Sequence, residues 1–538
     1  MLELLFDNLE KLSIISLIFF LYAEIHLYIP ILRGILYKKQ PEIIFDTPYR
    51  VNSDYLPVLL LLKDADKFPI FLEHIIISIY DKSTRTLLDT IRIDENMTIN
   101  QKWFGKIYHI TVNGFIGKTL EINCKGFFKI NGKDLIVKND NYPGLSHKNL
   151  TVHIDPECLP SKDGWHCGDI HCHSYYTEDQ VEFGLPLFLF PEIAKPMGLS
   201  FNAVTDHSYD LDDLLGTWTK KDPNLIKFKN SRKEIEEINK KYSDYIIIPG
   251  EELTVDNGHG RYVHMLVLNN KNFIPGNADG FEGIFDNKIA YFYGKIAEIG
   301  DDSMLTASAH PMTLFPYVQR ILLKRGIWNF NDKSDSLDGH QILNGKIDNA
   351  FRLGKENWIK QLLKGSRKYI YAGNDSHGNL NRFRQLRTPL FKLYEGNYQV
   401  FGECRTIVFT DISKGINQLI KNLKKGQVVI SNGPFINITI KDNGNNLYHI
   451  GNQAPVDAVK QICIESKSSE FFGKIKEIKI FNGQIDNKVE KLIFAKNYQN
   501  VSNVREKIKI QELRSGHLRA EVFTEKDKFC LTNPIWLI

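Results

Sequence analysis

The sequence predicts an α/β protein in which a barrel-like central domain is flanked by two β-sandwich-like domains. Residues 42–155 consist of short alternating strand-length runs, which are typical of a sandwich. Residues 156–436 alternate apolar strand-like runs with helix-compatible stretches, as proteins with parallel sheets do. Short strands return over residues 437–538. A chain of 538 residues is too long for one core, so several domains are expected.

Residues 1–41 form a separate apolar segment. The run "LSIISLIFFLYA" is uncharged and is followed by Glu24 and His26. It is shorter than the roughly 20 residues that a membrane-spanning helix needs. The segment has neither a basic start nor a small-residue cleavage site, which argues against a secretory signal. Counted through Glu24 and His26, the segment is about 21 residues long and could span a membrane at some cost. We expect a cytoplasmic protein in which residues 1–40 pack on the protein, contact a membrane surface peripherally or span the membrane.

Composition excludes two classes of protein. The 68 basic and 64 acidic residues nearly cancel, so nucleic acid is not an expected partner. The seven cysteines are odd in number, are scattered and include no CxxC pair. This pattern argues against a disulfide framework and against a structural zinc knuckle, and favours reduced, buried thiols.

Seven strand candidates organise the central region. In order they are "GDIHCHS", "SFNAVTDH", "YIIIPGEE", "YVHMLVLN", "MLTASAHP", "GHQILNG" and "YIYAGNDSH". Stretches with helical periodicity lie between them, among them "SRKEIEEINKKYSD" and "GKENWIKQLLKGS". About seven β-then-α units predict parallel strands and a barrel-like α/β domain.

Potential metal ligands gather at the ends of these strands and in one following loop. They are His171, His173, Asp179, His207, Glu252, His264, His310, Asp375 and His377. In an α/β barrel the C-terminal strand ends face one mouth, so these side chains would converge there. A single histidine on an apolar strand is more often structural than a ligand. So many ionisable groups in one domain need compensation for burial, and a metal cluster provides it.

Local spacing sharpens the metal prediction. Residues i and i+2 of a strand share a face, so His171 and His173 point together and Cys172 points into packing. His264 lies in a strand, whereas the competing His259 lies among glycines in a loop, and we prefer His264. Asp206 points away from its neighbour and is expected to orient a ligand rather than bind metal.

The ordered motifs resemble the polymerase and histidinol phosphatase (PHP) superfamily. "GDIHCHSYYTED", "AVTDHS", "IPGEELT", "VHMLVL", "SAHP" and "AGNDSHG" are each similar to one of its successive motifs. The flanking regions resemble its CehA/McbA branch by general character.

The resemblance implies a distorted (β/α)7 barrel with two or three divalent ions. By motif, the first ion would be held by His171, His173, Glu252 and Asp375. Glu252 would bridge to a second ion, completed by His264 and His310. A third would be held by Asp179, His207 and His377. Glu251 adjoins Glu252, so the bridging acid is either of the two, and we align Glu252.

The expected activity is metal-dependent hydrolysis of a small molecule by metal-activated hydroxide. Nitrogen and oxygen ligands suit Zn, Mn or Fe. The predicted catalytic residues are His171, His173, Asp206, Glu252 and Arg382.

A phosphoester is the first choice of substrate. The predicted phosphate-binding residues are Arg261, Arg382 and Arg384, although loop arginines also pair with acids. The CehA/McbA resemblance allows amide, ester or carbamate cleavage instead, in a pocket lined by aromatic residues. These are Tyr175, Tyr176, Tyr209 and Trp218. A second alternative is a binding protein with purely structural metals.

Overall fold

The computed structural model describes residues 40–142, 145–177, 184–215, 220–277, 294, 296, 303–315, 317–330, 336–387, 392–509 and 513–538. Almost all of the apolar segment predicted at residues 1–41 therefore lies outside the described residues. Within the described ranges, no helix has both the length and the apolar character needed to cross a membrane.

The chain divides into two compact units. Unit 1 consists of Met1–Pro156, Thr177–Met197 and Ser376–Phe401. Unit 2 consists of Glu157–Tyr176, Gly198–Asp375 and Gly402–Ile538. The predicted boundary after residue 155 meets this division at Pro156. The predicted C-terminal domain, residues 437–538, falls in unit 2 together with most of the predicted barrel segment.

Unit 1 is built from two main sheets. Its strands are β1 (Glu42–Asp46), β2 (Arg50–Val51), β3 (Tyr55–Lys63), β4 (Ile70–Asp81), β5 (Leu87–Ile99), β6 (Trp103–Thr111), β7 (Thr119–Ile130), β8 (Lys133–Lys138), β9 (Leu150–Ile154), β17 (Phe383–Arg387) and β18 (Lys392–Gly396), and its helix is α1 (Phe190–Met197). One sheet has the order β1-β3-β6, and the other has the order β2-β9-β7-β4-β5 with β8 beside β7. β17 and β18 form a separate hairpin.

Alternation along the strands creates the core of unit 1. In β4, Ile75, Ile77 and Ile79 are buried at every second position, while the residues between them are half-buried. They join one apolar cluster with Leu60 of β3 and Val152 of β9. Because strands of both sheets contribute to this cluster, unit 1 is a β-sandwich.

Unit 2 holds the remaining elements. The strands before the second segment of unit 1 are β10 (Trp165–Cys172), β11 (Phe201–Val204), β12 (Ile246–Asp256), β13 (Tyr262–Leu268), β14 (Leu305–Ala309), β15 (Gly339–Asn344) and β16 (Tyr369–Gly373). The later strands are β19 (Arg405–Phe409), β20 (Val428–Ser431), β21 (Phe435–Asp442), β22 (Leu447–His449), β23 (Gln453–Ala454), β24 (Val459–Lys467), β25 (Ile475–Gln484), β26 (Lys491–Val501), β27 (Asn503–Ile508), β28 (Gly516–Thr524), β29 (Phe529–Thr532) and β30 (Ile535–Leu537). The helices are α2 (Ser208–Leu211), α3 (Ile226–Lys241), α4 (Tyr317–Leu322), α5 (Asn349–Leu363) and α6 (Gly415–Lys424).

The predicted fold class, an α/β protein with a distorted (β/α)7 barrel, is wrong. Of the described residues, 46% lie in strands and 17% in helices, so the protein is mostly β. β10, β11 and β12 run parallel, and so do β14, β15 and β16, but β13 is antiparallel to both of its neighbours. The same sheet continues from β10 through antiparallel β19 and β20 into β29, β28, β25 and β26.

The length of one connection explains part of this error. A parallel return needs a crossover of a dozen or more residues. Residues 257–261 alone separate β12 from β13, so these strands form a hairpin. The predicted helical stretches at residues 231–244 and 354–366 do lie largely in α3 and α5. The predicted alternation of strands and helices is therefore present in part, but a helix does not connect every pair of successive strands.

The C-terminal strands do not form a separate sandwich as predicted. β29 pairs directly with β20, and β28 carries the sheet onward. Only β21, β22, β24 and β27 make a distinct four-stranded sheet among the described residues. Asn533, directly after β29, also bonds to β16: its side-chain oxygen accepts from Ile370 N, and its amide donates to Ile370 O. The end of the chain thus completes the backbone pairing of β16.

Candidate metal centre

Unit 2 brings six of the predicted ligands together because they lie within or just after strands of one sheet. His171 lies near the end of β10, and His173 directly follows that strand. Glu252 lies in β12, and His264 lies in the adjacent β13. His310 directly follows β14, and Asp375 lies two residues beyond β16. Six side chains from five strands therefore meet at one edge of the sheet.

The first group of side chains contains His171, His173, Glu252 and Asp375, whose candidate ligand atoms lie within 4.8 Å of one another. His171 Nε2 lies 3.2 Å from Glu252 Oε2 and 3.4 Å from Asp375 Oδ1. His173 Nε2 lies 3.3 Å and 3.2 Å from the same two oxygens. Two ring nitrogens therefore face two carboxylates in a buried site.

The second group shares Glu252 with the first. Glu252 Oε1 lies 2.6 Å from His264 Nδ1 and 3.2 Å from His310 Nε2. Glu252 thus directs Oε2 to one set of ring nitrogens and Oε1 to another, which is the arrangement of a bridging carboxylate. His207 Nδ1 also lies 3.3 Å from Glu252 Oε2.

Two members of these groups have unusual backbone conformations. His310 has a φ of 28° and Asp375 a φ of 53°, both in the left-handed region. Residues other than glycine adopt this region at a cost of about 1–3 kcal/mol, and such strain clusters at functional sites. The strand ends therefore turn sharply at the positions where their side chains enter the centre.

Gln341 of β15 fixes two of the histidine segments. Its Oε1 accepts hydrogen bonds from His171 Nδ1 at 3.0 Å and from the backbone N of His310 at 3.1 Å. Its amide nitrogen donates to Asn344 Oδ1, and the Asn344 amide donates to Asp375 Oδ2. Because Nδ1 of His171 must donate to Gln341, the other ring nitrogen, Nε2, is turned towards Glu252 and Asp375.

The electrostatics of the first group favour a bound cation. Burial alone would lower the pKa of His171, but Glu252 and Asp375 outweigh it and raise the pKa to about 9. Burial would raise the pKa of Glu252, but His264 and His171 hold it well below the usual value. The carboxylates are thus ionised in a buried site and draw positive charge to it, which either a proton or a metal ion supplies.

Unpaired atoms show that the residues fit a metal. His171 Nε2 and Glu252 Oε2 are buried and have no hydrogen-bond partner among the described residues. Both are good ligand atoms for a divalent ion, and both residues are at most 1% exposed. A cation between these atoms would satisfy buried groups that otherwise carry a desolvation penalty.

Asp206 and Cys172 lie beside the candidate ligands in the sequence and form hydrogen bonds around them. Asp206 accepts from Ser174 N and Ser174 Oγ, both at 2.6 Å, and so holds the residue after His173. Cys172 faces the opposite side, where its Sγ contacts Ala203 O and the Asn202 amide. Asp206 and Cys172 therefore support the ligand strand without pointing into the centre.

The two alternatives that the sequence left open have different surroundings. Glu251 lies against Asn270 and Arg232, and burial raises its pKa to about 8. Glu252 alone of this pair faces the histidines. His259 bonds to Asn329 in an exposed loop, while His264 lies at Glu252.

Two of the predicted phosphate-binding arginines donate to backbone oxygens. Arg261 is exposed and donates to the backbone oxygen of Arg320. Arg382 belongs to unit 1, where it donates to the backbone oxygens of Lys148 and Asn149. Arg384 lies in β17 of unit 1, and its side chain is outside the described part. The roles predicted for Arg261, Arg382 and Arg384 in substrate binding, and for Arg382 in catalysis, stay predictions.

Other predicted residues stay untested. Asp179 and Trp218 lie outside the described residues, and His377 belongs to unit 1. The third ion predicted at Asp179, His207 and His377 therefore stays a prediction. Tyr175 and Tyr176 direct their hydroxyls to Glu234 Oε2, at 2.8 Å and 3.2 Å, and Tyr209 stacks on His207.

Sequence reasoning missed three residues that touch the ligands. Gln341 and Asn344 stand out in the apolar run "GHQILNG", the one strand candidate without an ionisable ligand. Their polarity in a buried strand was the available signal. Arg325, whose Nη1 lies 2.8 Å from His264 Nε2, lies in a segment with no strand or motif to mark it.

No family model matches the chain, and no curated protein matches it. The solved structures similar to it include a glycosyl hydrolase family 2 member from Bacteroides cellulosilyticus, at 9% identity and a TM-score of 0.17 over 91% of this chain and 63% of that chain. A β-glucuronidase from Bacteroides uniformis matches at 11% identity and a TM-score of 0.18, over 92% of this chain and 61% of that chain.

A β-glucuronidase from Parabacteroides merdae matches at 9% identity and a TM-score of 0.18, over 92% of this chain and 63% of that chain. The chain thus spans less than two thirds of each of these neighbours. TM-scores this low establish neither a shared fold nor a shared activity.

Proposed function

We propose that the chain is a metal-dependent hydrolase with two divalent ions bridged by Glu252. The observation that carries the proposal is the placement of the two Glu252 oxygens, each against its own set of buried ring nitrogens. The first ion would be held by His171, His173, Glu252 and Asp375, and the second by Glu252, His264 and His310. The order of these ligands along the chain is also that of the PHP superfamily motifs.

Zn, Mn or Fe would suit this set of nitrogen and oxygen ligands. When bound, a pair of such ions lowers the pKa of water and holds the oxygens of the group under attack. A structural metal site is usually closed and does not need a carboxylate shared between two ions. A purely structural role is therefore the weaker alternative.

The chain's own residues would supply orientation and exclusion of water. Gln341 fixes the His171 ring and the His310 backbone, and Asp206 fixes the turn after His173. Burial of His171 and Glu252 keeps the ligands away from competing solvent. Such supporting bonds hold catalytic groups in their productive geometry.

A phosphoester is the substrate class that we propose first. Two divalent ions with two carboxylates leave a net charge of about +2, which favours an anionic substrate. Two-metal centres also clamp the attacking and leaving oxygens of a phosphoryl group. Amide, ester or carbamate cleavage is the alternative, since it needs no anionic group.

The test begins with metal content and a panel of substrates. Purified full-length protein is loaded with Mn²⁺ or Zn²⁺ and assayed with aryl phosphate, bis-aryl phosphate, aryl acetate and aryl glucuronide. We expect metal-dependent turnover of a phosphoester. Turnover of aryl acetate alone would refute the phosphoester class, and turnover of the glucuronide without metal would refute the metal mechanism.

Two adjacent acids give a matched pair of variants. Glu252→Gln removes the shared charge and should abolish both metal binding and turnover. Glu251→Gln changes a neighbouring buried acid that faces Arg232 and Asn270, and should keep both. Equal loss in the two variants would mean that the activity depends on general folding rather than on Glu252.

A further inference from the structure

We propose that Arg325 binds the phosphoryl group of the substrate beside His264, and that metal binding releases it to do so. The inference rests on the proposed metal-dependent hydrolase and names the residue that would select an anionic substrate. Arg325 Nη1 lies 2.8 Å from His264 Nε2, on the side of the ring away from Glu252. The guanidinium is therefore already in contact with a member of the centre.

The position of Arg325 is fixed by its surroundings. Its backbone forms a parallel bridge with Tyr262 of β13. Hydrogen bonds from Tyr262 N to Lys324 O and from Gly326 N to Tyr262 O, both 2.9 Å, flank this bridge. The guanidinium also lies 4.9 Å from the centre of the Phe315 ring. A cation held in this way loses little further freedom when it binds an anion.

Charge and geometry indicate the kind of ligand. Arg261, which lies in the loop before β13, is exposed and donates to the backbone oxygen of Arg320. A guanidinium forms paired hydrogen bonds to phosphoryl oxygens, which a neutral ester does not offer. The proposed ions would add positive charge on the other side of the same histidine. The combination favours a tetrahedral oxyanion.

A second donor lies on the same face of the sheet. Thr254 is two residues after Glu252 and directly opposite His264 in the β12–β13 pair, so all three side chains share a face. The Thr254 hydroxyl is buried and has no hydrogen-bond partner among the described residues. A substrate oxygen beside His264 would satisfy this hydroxyl.

Hydrogen-bond geometry couples Arg325 to metal. To accept a hydrogen bond from Arg325, His264 needs a lone pair on Nε2. The ring hydrogen is then on Nδ1, which donates to Glu252 Oε1 over an Nδ1–Oε1 distance of 2.6 Å. A His264 that gives its Nδ1 lone pair to a metal carries hydrogen on Nε2 instead. That ring no longer accepts from Arg325, so the guanidinium turns to another acceptor.

The experiment measures binding of inorganic phosphate by calorimetry to full-length protein, with and without Mn²⁺. We expect phosphate to bind the loaded wild type and to bind the metal-free protein at least about tenfold more weakly. Arg325→Ala should weaken binding to the loaded protein about tenfold or more, and Arg325→Lys and Thr254→Val should each weaken it less. Arg352→Ala removes an equal charge from the exposed face of α5 and should leave the affinity unchanged.

Metal content, measured by mass spectrometry, must be equal in all loaded variants. Unchanged phosphate affinity in Arg325→Ala overturns the proposal, as does acetate binding the wild type as tightly as phosphate. If Arg325→Ala does not fold, Arg325→Lys and the comparison of loaded with metal-free wild type still decide the question. A wild type that binds no metal overturns the proposed function as well. A loaded wild type that cleaves aryl acetate but binds no phosphate overturns only the role of Arg325.

Discussion

Replacement of Gln341 by Met tests whether the centre depends on an oriented His171. The substitution keeps the length and apolar bulk of the side chain but removes the oxygen that accepts from His171 Nδ1 and from His310 N. Gln341 is fully buried, so water does not replace the lost acceptor. Each buried donor left without a partner costs about 1–3 kcal/mol, and the two together should lower the free energy of unfolding by about 2–6 kcal/mol.

The same substitution should weaken metal binding. Without Gln341, His171 is free to take the other tautomer, which turns a hydrogen rather than a lone pair towards Glu252. Loss of such a supporting bond typically lowers metal affinity 10- to 100-fold, or about 1.4–2.7 kcal/mol. Calorimetric titration with Zn²⁺ or Mn²⁺ measures the affinity, and urea unfolding of the metal-free protein measures the stability.

Gln361 provides the control for this prediction. It is also a buried glutamine whose Oε1 bonds a buried histidine, at 2.9 Å from His340 Nε2, but that histidine is not part of the centre. Gln361→Met should lower the free energy of unfolding by about 1–3 kcal/mol and leave metal affinity unchanged. If Gln341→Met keeps wild-type metal affinity, or if Gln361→Met weakens it equally, the orientation argument is refuted.

Three other predictions concern metal removal, acid and a buried ion pair. A chelator should lower the free energy of unfolding of the wild type by about 2.7 kcal/mol per ion, if the ion was present at 100 times its Kd, and should not affect Glu252→Gln. Thermal unfolding with and without chelator checks this, and an equal shift in both proteins would contradict it. Burial lowers the pKa of His340 to about 3, so below pH 6.5 the unfolded chain takes up a proton that the folded chain refuses. The free energy of unfolding should therefore fall as pH drops from 6.5 towards 3, by about 3 kcal/mol between pH 7 and pH 4. His340→Asn should lack this part of the pH dependence. A variant whose stability falls with pH as steeply as that of the wild type would exclude His340 as the source. Glu490→Gln should cost about 1.5–3 kcal/mol in chemical denaturation because it removes one of the two carboxylates that pair with the buried guanidinium of Arg519. The exposed Glu236→Gln should cost about 0.5 kcal/mol at most, and similar costs for the two would count against the buried pair.

The sequence predicted which side chains gather at the candidate centre better than it predicted the strands around them. His171 and His173 share a face through the two-residue period of a strand, and His310 and Asp375 follow the ends of their strands. Glu252 lies inside β12 rather than at the strand end where the sequence placed it. These are local properties, so they are readable from short stretches of sequence. The direction of β13 is not readable in this way. It depends on the hairpin between β12 and β13, and the sequences of these two strands do not differ from those of buried parallel strands.

The residues that sequence reasoning misjudged depend on contacts across long distances in the chain. Gln341 forms a hydrogen bond with His171, which lies 170 positions away in the sequence. The residues around Gln341 do not indicate this partner. Arg325 likewise contacts His264 across 61 positions of sequence, from a segment without a recognisable motif.

Two hydrogen bonds between the Asn533 side chain and the Ile370 backbone connect the C-terminal strands to β16. β16 leads within two residues to Asp375, and Asn533 completes the pairing of Ile370 on that strand. The last strands also cover β20, whose unpaired edge would otherwise template aggregation. Loss of these bonds would leave the backbone N–H and C=O of Ile370 without their Asn533 partner, five residues before a candidate metal ligand. We therefore expect opening of the segment around Asn533 to loosen β16 and the Asp375 that follows it.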